Sequence, residues 1–214
     1  MTNCHRLKMR LIRGYRMITT SKSFIHWNYF LALESDLENV SRYIEFIDAN
    51  FDTYSIELAH LLLASSSECD VVLKELCVLL SSEEKGRNDI NFYRRVIKSK
   101  LPEFINEPIF INRYSISVKP WDNWNNDKNP YWWTSYNKVK HERNMHFDKA
   151  SLRHTISSIG GLLIVCFYYY KKLFEIESKK IMQPQKVTEK LQQRSNFIQL
   201  SPSFYHNYVY DDKM

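Results

Sequence analysis

The amino-acid sequence predicts an all-α protein, an up-and-down helical bundle with a small extended insertion and an irregular C-terminal tail. The chain has only 4 glycines and 6 prolines among 214 residues, whereas sandwiches and barrels need a turn residue at about every tenth position. Its long segments instead repeat apolar residues at helical spacing. The hydrophobic content of 44% is sufficient for a core. We expect one bundle domain over residues 23–180, between a basic extension, 1–22, and a tail, 181–214.

Two long helices open the predicted bundle. Residues 23–49 form the first, because their apolar side chains recur every three or four positions. The pattern then breaks, and Asp52 or Thr53 is a suitable N-cap for a second helix over residues 54–80.

The middle of the chain has shorter elements. A helix over residues 91–100 ends before Pro102, since the residue preceding a proline disfavours helical geometry. The alternation in residues 109–118 predicts a strand or an extended crossing segment. Residues 121–129 are polar and predict a loop.

Two further helices complete the bundle. Pro130 favours a helix start, which predicts a helix over residues 131–147. A last long helix begins at Asp148 or Ser151 and ends at Glu177.

The apolar run 156–170 lies inside this last helix. It has fifteen residues, too few to cross a bilayer comfortably, and is typical of a buried core helix. The polar tail carries two short apolar pieces, 197–200 and 207–210, which we expect to be extended.

The net charge of +6 comes from the N terminus. Residues 1–16 contain no acid and supply five positive charges, so the rest of the chain is only +1; the five are Arg6, Lys8, Arg10, Arg13 and Arg16. Such an arm can contact phosphates or an anionic membrane surface. Alternatively, Met9 or Met17 is the natural start and the arm is not part of the protein.

The motifs of several common functions are absent from the sequence. It has neither G-x-G-x-x-G nor a Walker loop, which excludes two frequent routes to nucleotide chemistry. Its four cysteines form no C-x-x-C pair and have no histidine at ligand spacing, which excludes a zinc site and a disulfide framework. We therefore expect a cytoplasmic protein that binds no metal, cofactor or membrane.

The most unusual segment follows Pro130 (YWWTSYNKVKHERNMHF). On a helix that turns 100° per residue, Trp132, Tyr136 and Phe147 share an apolar stripe. Arg143 falls within that stripe, and a guanidinium facing the core needs an internal partner or a cleft. We expect Arg143 to pair with Glu68 of the second helix.

Other polar side chains flank Arg143 on this helix. Lys140 and His146 each lie about 60° from it, so the three can share one pocket. His141 points roughly 160° away and reaches Arg143 only across a dimer or a helix break.

Two further groups of side chains support this site. On the second helix, Asp70 and Lys74 are spaced to form a surface ion pair. Trp133 and Tyr136 are either core residues or a platform on which a base can stack.

The YNKVKHER element, placed after a pair of long helices and at the opening of the final pair, resembles bacterial proteins of the HEPN (higher eukaryotes and prokaryotes nucleotide-binding) type over residues 24–178. This resemblance implies a helical bundle that is usually dimeric. Active members of such families are metal-independent ribonucleases of toxin, abortive-infection and phage-defence systems, which implies RNA as the substrate and an antitoxin or defence protein as a partner.

The resemblance also implies roles for individual residues. Family members place a histidine four to six residues after an arginine, whereas only two residues separate Arg143 from His146 here. Arg143 would stabilise charge on the scissile phosphate, and His146 or His141 would be the general base toward a ribose 2′-hydroxyl. Asn137 and Lys140 would hold the phosphate.

Two alternatives to catalysis remain open. The bundle can be a non-catalytic module that binds RNA, a nucleotide or a partner protein through the pocket of Lys140 and Arg143. In a purely structural interpretation, Arg143 and Glu68 form a core ion pair and the segment has no site.

Overall fold

A computed structural model describes residues 23–81, 89–191 and 195–206. It confirms the all-α bundle with a small strand insertion. The expectations for the extension 1–22 and for the piece 207–210 lie outside the described residues. Among those described, no helix has the combination of length and apolar character that spanning a bilayer requires.

The first helix is shorter than predicted and the second begins slightly later. Helix α1 covers Ile25–Val40 and is followed by turns. The apolar face of the predicted helix does not continue beyond Val40. In the turns that follow, Phe46 is buried while Ile47 is half exposed. Helix α2 covers Ile56–Leu80, and its N-cap is Ser55, whose hydroxyl accepts a hydrogen bond from the Leu58 amide at 3.1 Å.

The middle of the chain forms a helix and a hairpin. Helix α3 is Ile90–Lys100. The predicted extended segment is two antiparallel strands, β1 (Ile109–Ile111) and β2 (Ile116–Val118). The expected loop 121–129 instead contains a 3₁₀ turn and buries two tryptophans, Trp121 and Trp124.

The remaining helices complete the bundle as predicted. Helix α4 covers Tyr131–His146 and helix α5 covers Leu152–Ser178. Helix α5 follows Ser151, one of its two predicted starting points, and packs along α2 through the centre of the molecule. The apolar run 156–170 is largely buried there, as expected of a core helix.

The segment after residue 180 is more ordered than the polar tail that we expected. It forms helix α6, Pro184–Lys190, and Phe197 and Ile198 join the core. In the piece 197–200, which we expected to be extended, Phe197 and Ile198 lie in a bend, and Gln199 pairs with Phe110 beside β1 through two hydrogen bonds of 2.8 Å. Its apolar side chains therefore belong to the bundle's core.

Candidate functional site

The last turn of α4 is distorted, which moves Arg143 out of its predicted environment. Glu142 has φ −138° and ψ 45°, outside the helical region. The helical face defined by the preceding turns therefore does not extend to Arg143, whose side chain is exposed. The predicted pair with Glu68 is wrong, since the Arg143 guanidinium makes no hydrogen bond or ion pair with any residue described.

Glu68 instead belongs to a buried cluster around His26. Nδ1 of His26 lies 2.6 Å from Oε1 of Glu68, and Nε2 lies 3.3 Å from Oε2 of Glu75. Asp70 faces Tyr93, and burial together with the Asp70 charge raises the pKa of that phenol. Asp70 does not form the predicted ion pair with the exposed Lys74 anywhere in the described structure. This region therefore holds helices together and does not support Arg143.

Three aromatic residues of α4, Trp132, Trp133 and Tyr136, are part of the core. Trp133 and Tyr136 are each 6% exposed, with ring centroids 5.7 Å apart. This burial favours the core interpretation over a base-stacking platform. Nζ of Lys140 donates to the Tyr136 hydroxyl at 3.2 Å and lies 5.3 Å from its ring centroid.

The predicted catalytic residues do not converge. Arg143 lines a shallow depression with His60 and Phe147. His146 pairs with Glu142 at 3.2 Å, and His141 is exposed. Neither histidine, nor Lys140, nor the half-buried Asn137 lines the depression that Arg143 occupies.

The other face of α4 borders a basic pocket that sequence patterns did not predict. This cavity of about 610 Å³ lies between α4, the start of α5 and the chain after β2. The charged residues that line it are four cations and one acid: Lys119, Lys138, Lys149, Arg153 and Asp122. The pocket therefore suits an anionic ligand.

His154 lines this pocket in a fixed tautomer. Its Nδ1 lies 3.1 Å from both the Lys149 carbonyl oxygen and the Ser151 hydroxyl. A carbonyl oxygen can only accept, which assigns the proton to Nδ1, and the hydroxyl can accept from the same N–H. Nε2 then has the free lone pair and accepts from the Ser135 hydroxyl at 3.4 Å. Hydrogen bonds of this length are weak, and a ligand hydroxyl can replace that of Ser135.

Burial lowers the pKa of His154 from its ordinary value of 6.5. The Lys149 carbonyl opposes this shift, while the positive charges of Arg153 and Lys149 add to it. The imidazole is therefore neutral at pH 7 and can accept a proton through Nε2.

Two of the four cations have no acidic partner in the described part of the chain. Lys119 and Lys138 are exposed and have no carboxylate at ion-pair distance among residues 23–81, 89–191 and 195–206. Lys149 pairs with Asp148 at 2.8 Å, and Arg153 pairs with Asp52 at 3.3 Å. The unpaired lysines therefore provide most of the pocket's uncompensated charge.

A second cavity of about 590 Å³ adjoins the basic pocket. The two share Arg153, Ser117, Val118 and Ser157 as lining residues. The walls of the second cavity include three aromatic side chains, Phe46, Phe51 and Tyr114.

The residues of the basic pocket come from three separate elements, so no local motif contains them. One feature of the sequence nevertheless indicates the basic pocket. Arg153 and His154 lie in the first turn of α5, which contains no acid, although the positive end of the helix dipole disfavours cations there. A basic pair at this position indicates a function other than helix stabilisation.

Comparisons of the chain with protein-family models, with curated proteins and with solved structures gave no match. Among the residues that the model describes, no group of three or more histidine, cysteine, aspartate or glutamate side chains is placed to hold a metal ion.

Proposed function

We propose that this protein is a metal-independent ribonuclease that binds an RNA phosphate in the basic pocket and uses His154 as its general base. The observation that supports this most directly is the position of the His154 imidazole, which lines a pocket with four cations and has Nδ1 3.1 Å from the Lys149 carbonyl oxygen. The proposal keeps the chemistry implied by the HEPN resemblance and moves it away from Arg143.

In the proposed reaction, Nε2 of His154 accepts the proton of the ribose 2′-hydroxyl. The 2′-oxygen then forms a bond to the adjacent phosphorus, and the bond from phosphorus to the 5′-oxygen breaks. Water protonates the leaving oxygen, which gives a 2′,3′-cyclic phosphate and a 5′-hydroxyl. Lys138 and Arg153 stabilise the negative charge that develops on the phosphoryl oxygens. DNA is inert because it lacks the 2′-hydroxyl.

Cleavage of a mixed-sequence RNA in EDTA tests this proposal. We expect His154→Gln to reduce the rate by about 100-fold or more, the usual contribution of a general base, and Lys138→Ala to weaken RNA binding. Arg143→Ala is the matched control, because Arg143 is an exposed cation on the same helix outside the pocket. Circular dichroism verifies that each variant is folded.

The outcomes distinguish the alternatives. Loss of cleavage in Arg143→Ala but not in His154→Gln would contradict the proposal and support the site implied by the family resemblance. RNA binding that depends on Lys138, without turnover by the wild type, would identify a binding module.

We also propose a homodimer formed through the end of α4. Three exposed apolar side chains lie there: Met145 in the last turn of α4, Ile56, which lines the same depression as Arg143, and Tyr54, which packs against Phe147, at 72%, 67% and 51% exposure. A two-fold contact would cover this patch and bring Arg143 near its copy. Light scattering during size-exclusion chromatography should give twice the chain mass, and Met145→Glu should give the monomer.

The biological setting that we propose is the cytoplasm, in a toxin, abortive-infection or phage-defence system with an antitoxin or other defence protein as partner. The family resemblance supports the system and the partner. The free thiols of Cys69 and Cys166 suit a reducing compartment.

A further inference from the structure

We propose that the basic pocket and the adjoining cavity together form one site for an unpaired nucleotide, with the phosphate in the former and the base in the latter. This inference rests on the proposed function and specifies its substrate as single-stranded RNA. The two cavities are neighbours, since Ser117, Val118, Arg153 and Ser157 line both.

The second cavity has the chemistry of a base-binding site. Phe51 and Tyr114 are half-buried, so part of each ring is accessible. Phe46 is buried behind Tyr114, with ring centroids 5.0 Å apart, and supports that ring. Aromatic side chains stack on nucleobases of any sequence. A cavity of about 590 Å³ is also within the size range of small-ligand sites.

Arg153 joins the phosphate and base positions. Its guanidinium lies 5.7 Å from the Phe51 ring centroid, and its Nε lies 3.3 Å from Oδ1 of Asp52. The ring and the carboxylate orient the group, and the remaining N–H donors of a guanidinium can contact a phosphate oxygen. Arg153 can therefore bind a phosphate whose attached nucleoside extends toward Phe51.

A base that stacks on Phe51 or Tyr114 needs a free face, whereas the bases inside a duplex are already stacked on both faces. The site therefore selects unpaired nucleotides. Duplex RNA would first have to lose a base pair, which adds an energetic cost.

Calorimetric titration with two ligands tests the inference without requiring cleavage. Adenosine 5′-monophosphate carries a phosphate and a base, whereas ribose 5-phosphate has no base. We expect the nucleotide to bind the wild type about fivefold or more tightly, since stacking on an aromatic side chain is worth at least that. Tyr114→Leu should reduce this preference and leave the affinity for ribose 5-phosphate unchanged. Phe51→Leu should also reduce the preference, but it should weaken both ligands because the Phe51 ring helps to orient Arg153.

Two variants provide controls. Lys138→Ala should weaken both ligands by the same factor, because it acts on the phosphate. Tyr43→Leu should change neither affinity, since Tyr43 is 85% exposed and does not line the cavity.

Equal binding of the two ligands to the wild type would overturn the inference. So would a preference that survives both aromatic substitutions. If the proposed function alone is wrong, the result is different. The preference for the nucleotide would depend on Phe51 and Tyr114 as expected, yet RNA would remain uncut. If neither ligand binds, both proposals fail.

Discussion

Burial keeps the imidazole of His154 neutral, and this predicts how the reaction depends on pH. Because the folded protein lowers the pKa of His154 below 6.5, the base stays active until the pH falls through that lowered value. We therefore expect kcat/KM for RNA cleavage to decline on the acidic side with a midpoint below pH 6.5. A midpoint at or above 6.5 would contradict His154 as the base.

The lowered pKa of His154 also makes the stability of the folded protein depend on pH. In the unfolded chain His154 titrates at its ordinary pKa of 6.5, so the unfolded state binds its proton first as the pH falls. The contribution of His154 is therefore most favourable above pH 6.5 and is progressively lost below it.

Gly160 illustrates a residue that is fixed by packing. A Cβ at this position would lie 2.7 Å from Cγ1 of the buried Ile109. Alanine gains about 1 kcal/mol of helix propensity, whereas overpacking costs roughly 1–3 kcal/mol. We expect Gly160→Ala to lower the free energy of unfolding by about 1 kcal/mol, measured by urea denaturation.

A double-mutant cycle isolates this contact. In an Ile109→Ala background the obstructing Cγ1 is absent, so Gly160→Ala should become neutral or stabilising. The same loss in both backgrounds would show that the contact is not responsible.

Among the secondary-structure elements, helix α4 shows which features a sequence pattern predicts and which it does not. Its limits were predicted to within one residue, and the burial of Trp132 and Tyr136 followed from their helical spacing. The exposure of Arg143 was not predictable, because periodicity assumes a regular backbone and Glu142 departs from it. The expected Glu68 partnership failed for the same reason.

The order of the C-terminal segment was not predicted, because the residue that anchors it lies far away in the sequence. The buried carboxylate of Glu34, on α1, accepts hydrogen bonds from the amides of Asn196, Phe197 and Ile198 at 3.4, 2.9 and 2.7 Å. The Ser195 hydroxyl donates to the same carboxylate. Sequence composition shows this segment only as polar and does not reveal a contact across the whole chain.

This anchor predicts a local loss of stability. Glu34→Gln replaces one acceptor oxygen by an N–H donor facing amides, which should cost about 2 kcal/mol. Hydrogen exchange of the amides of residues 195–200 should accelerate. Glu38→Gln is the matched control one turn further along α1, where the carboxylate makes only a surface ion pair with Arg113, and it should leave this exchange unchanged.

For the molecule as a whole, the basic pocket depends on the tertiary fold. Lys119 follows β2, Lys138 lies on α4 and His154 lies on α5, and only packing of the bundle brings them together. Helical spacing predicted the fold class because it reports which faces are buried. It does not indicate which polar side chains of different elements come together. The pattern within α4 alone therefore pointed to Arg143.

The distribution of charge predicts how RNA binding depends on salt. Each phosphate contact to a single strand contributes about 0.7 to the slope of log affinity against log salt concentration. Five of the net positive charges lie in residues 1–16, which precede the described part of the chain. If they contact RNA, replacing all five basic residues by Gln in the full chain should make the slope shallower by about 3.5. Lys138→Ala should make the slope shallower by about 0.7 and reduce RNA cleavage as well. A slope unchanged by the five substitutions would show that the pocket alone provides the electrostatic attraction.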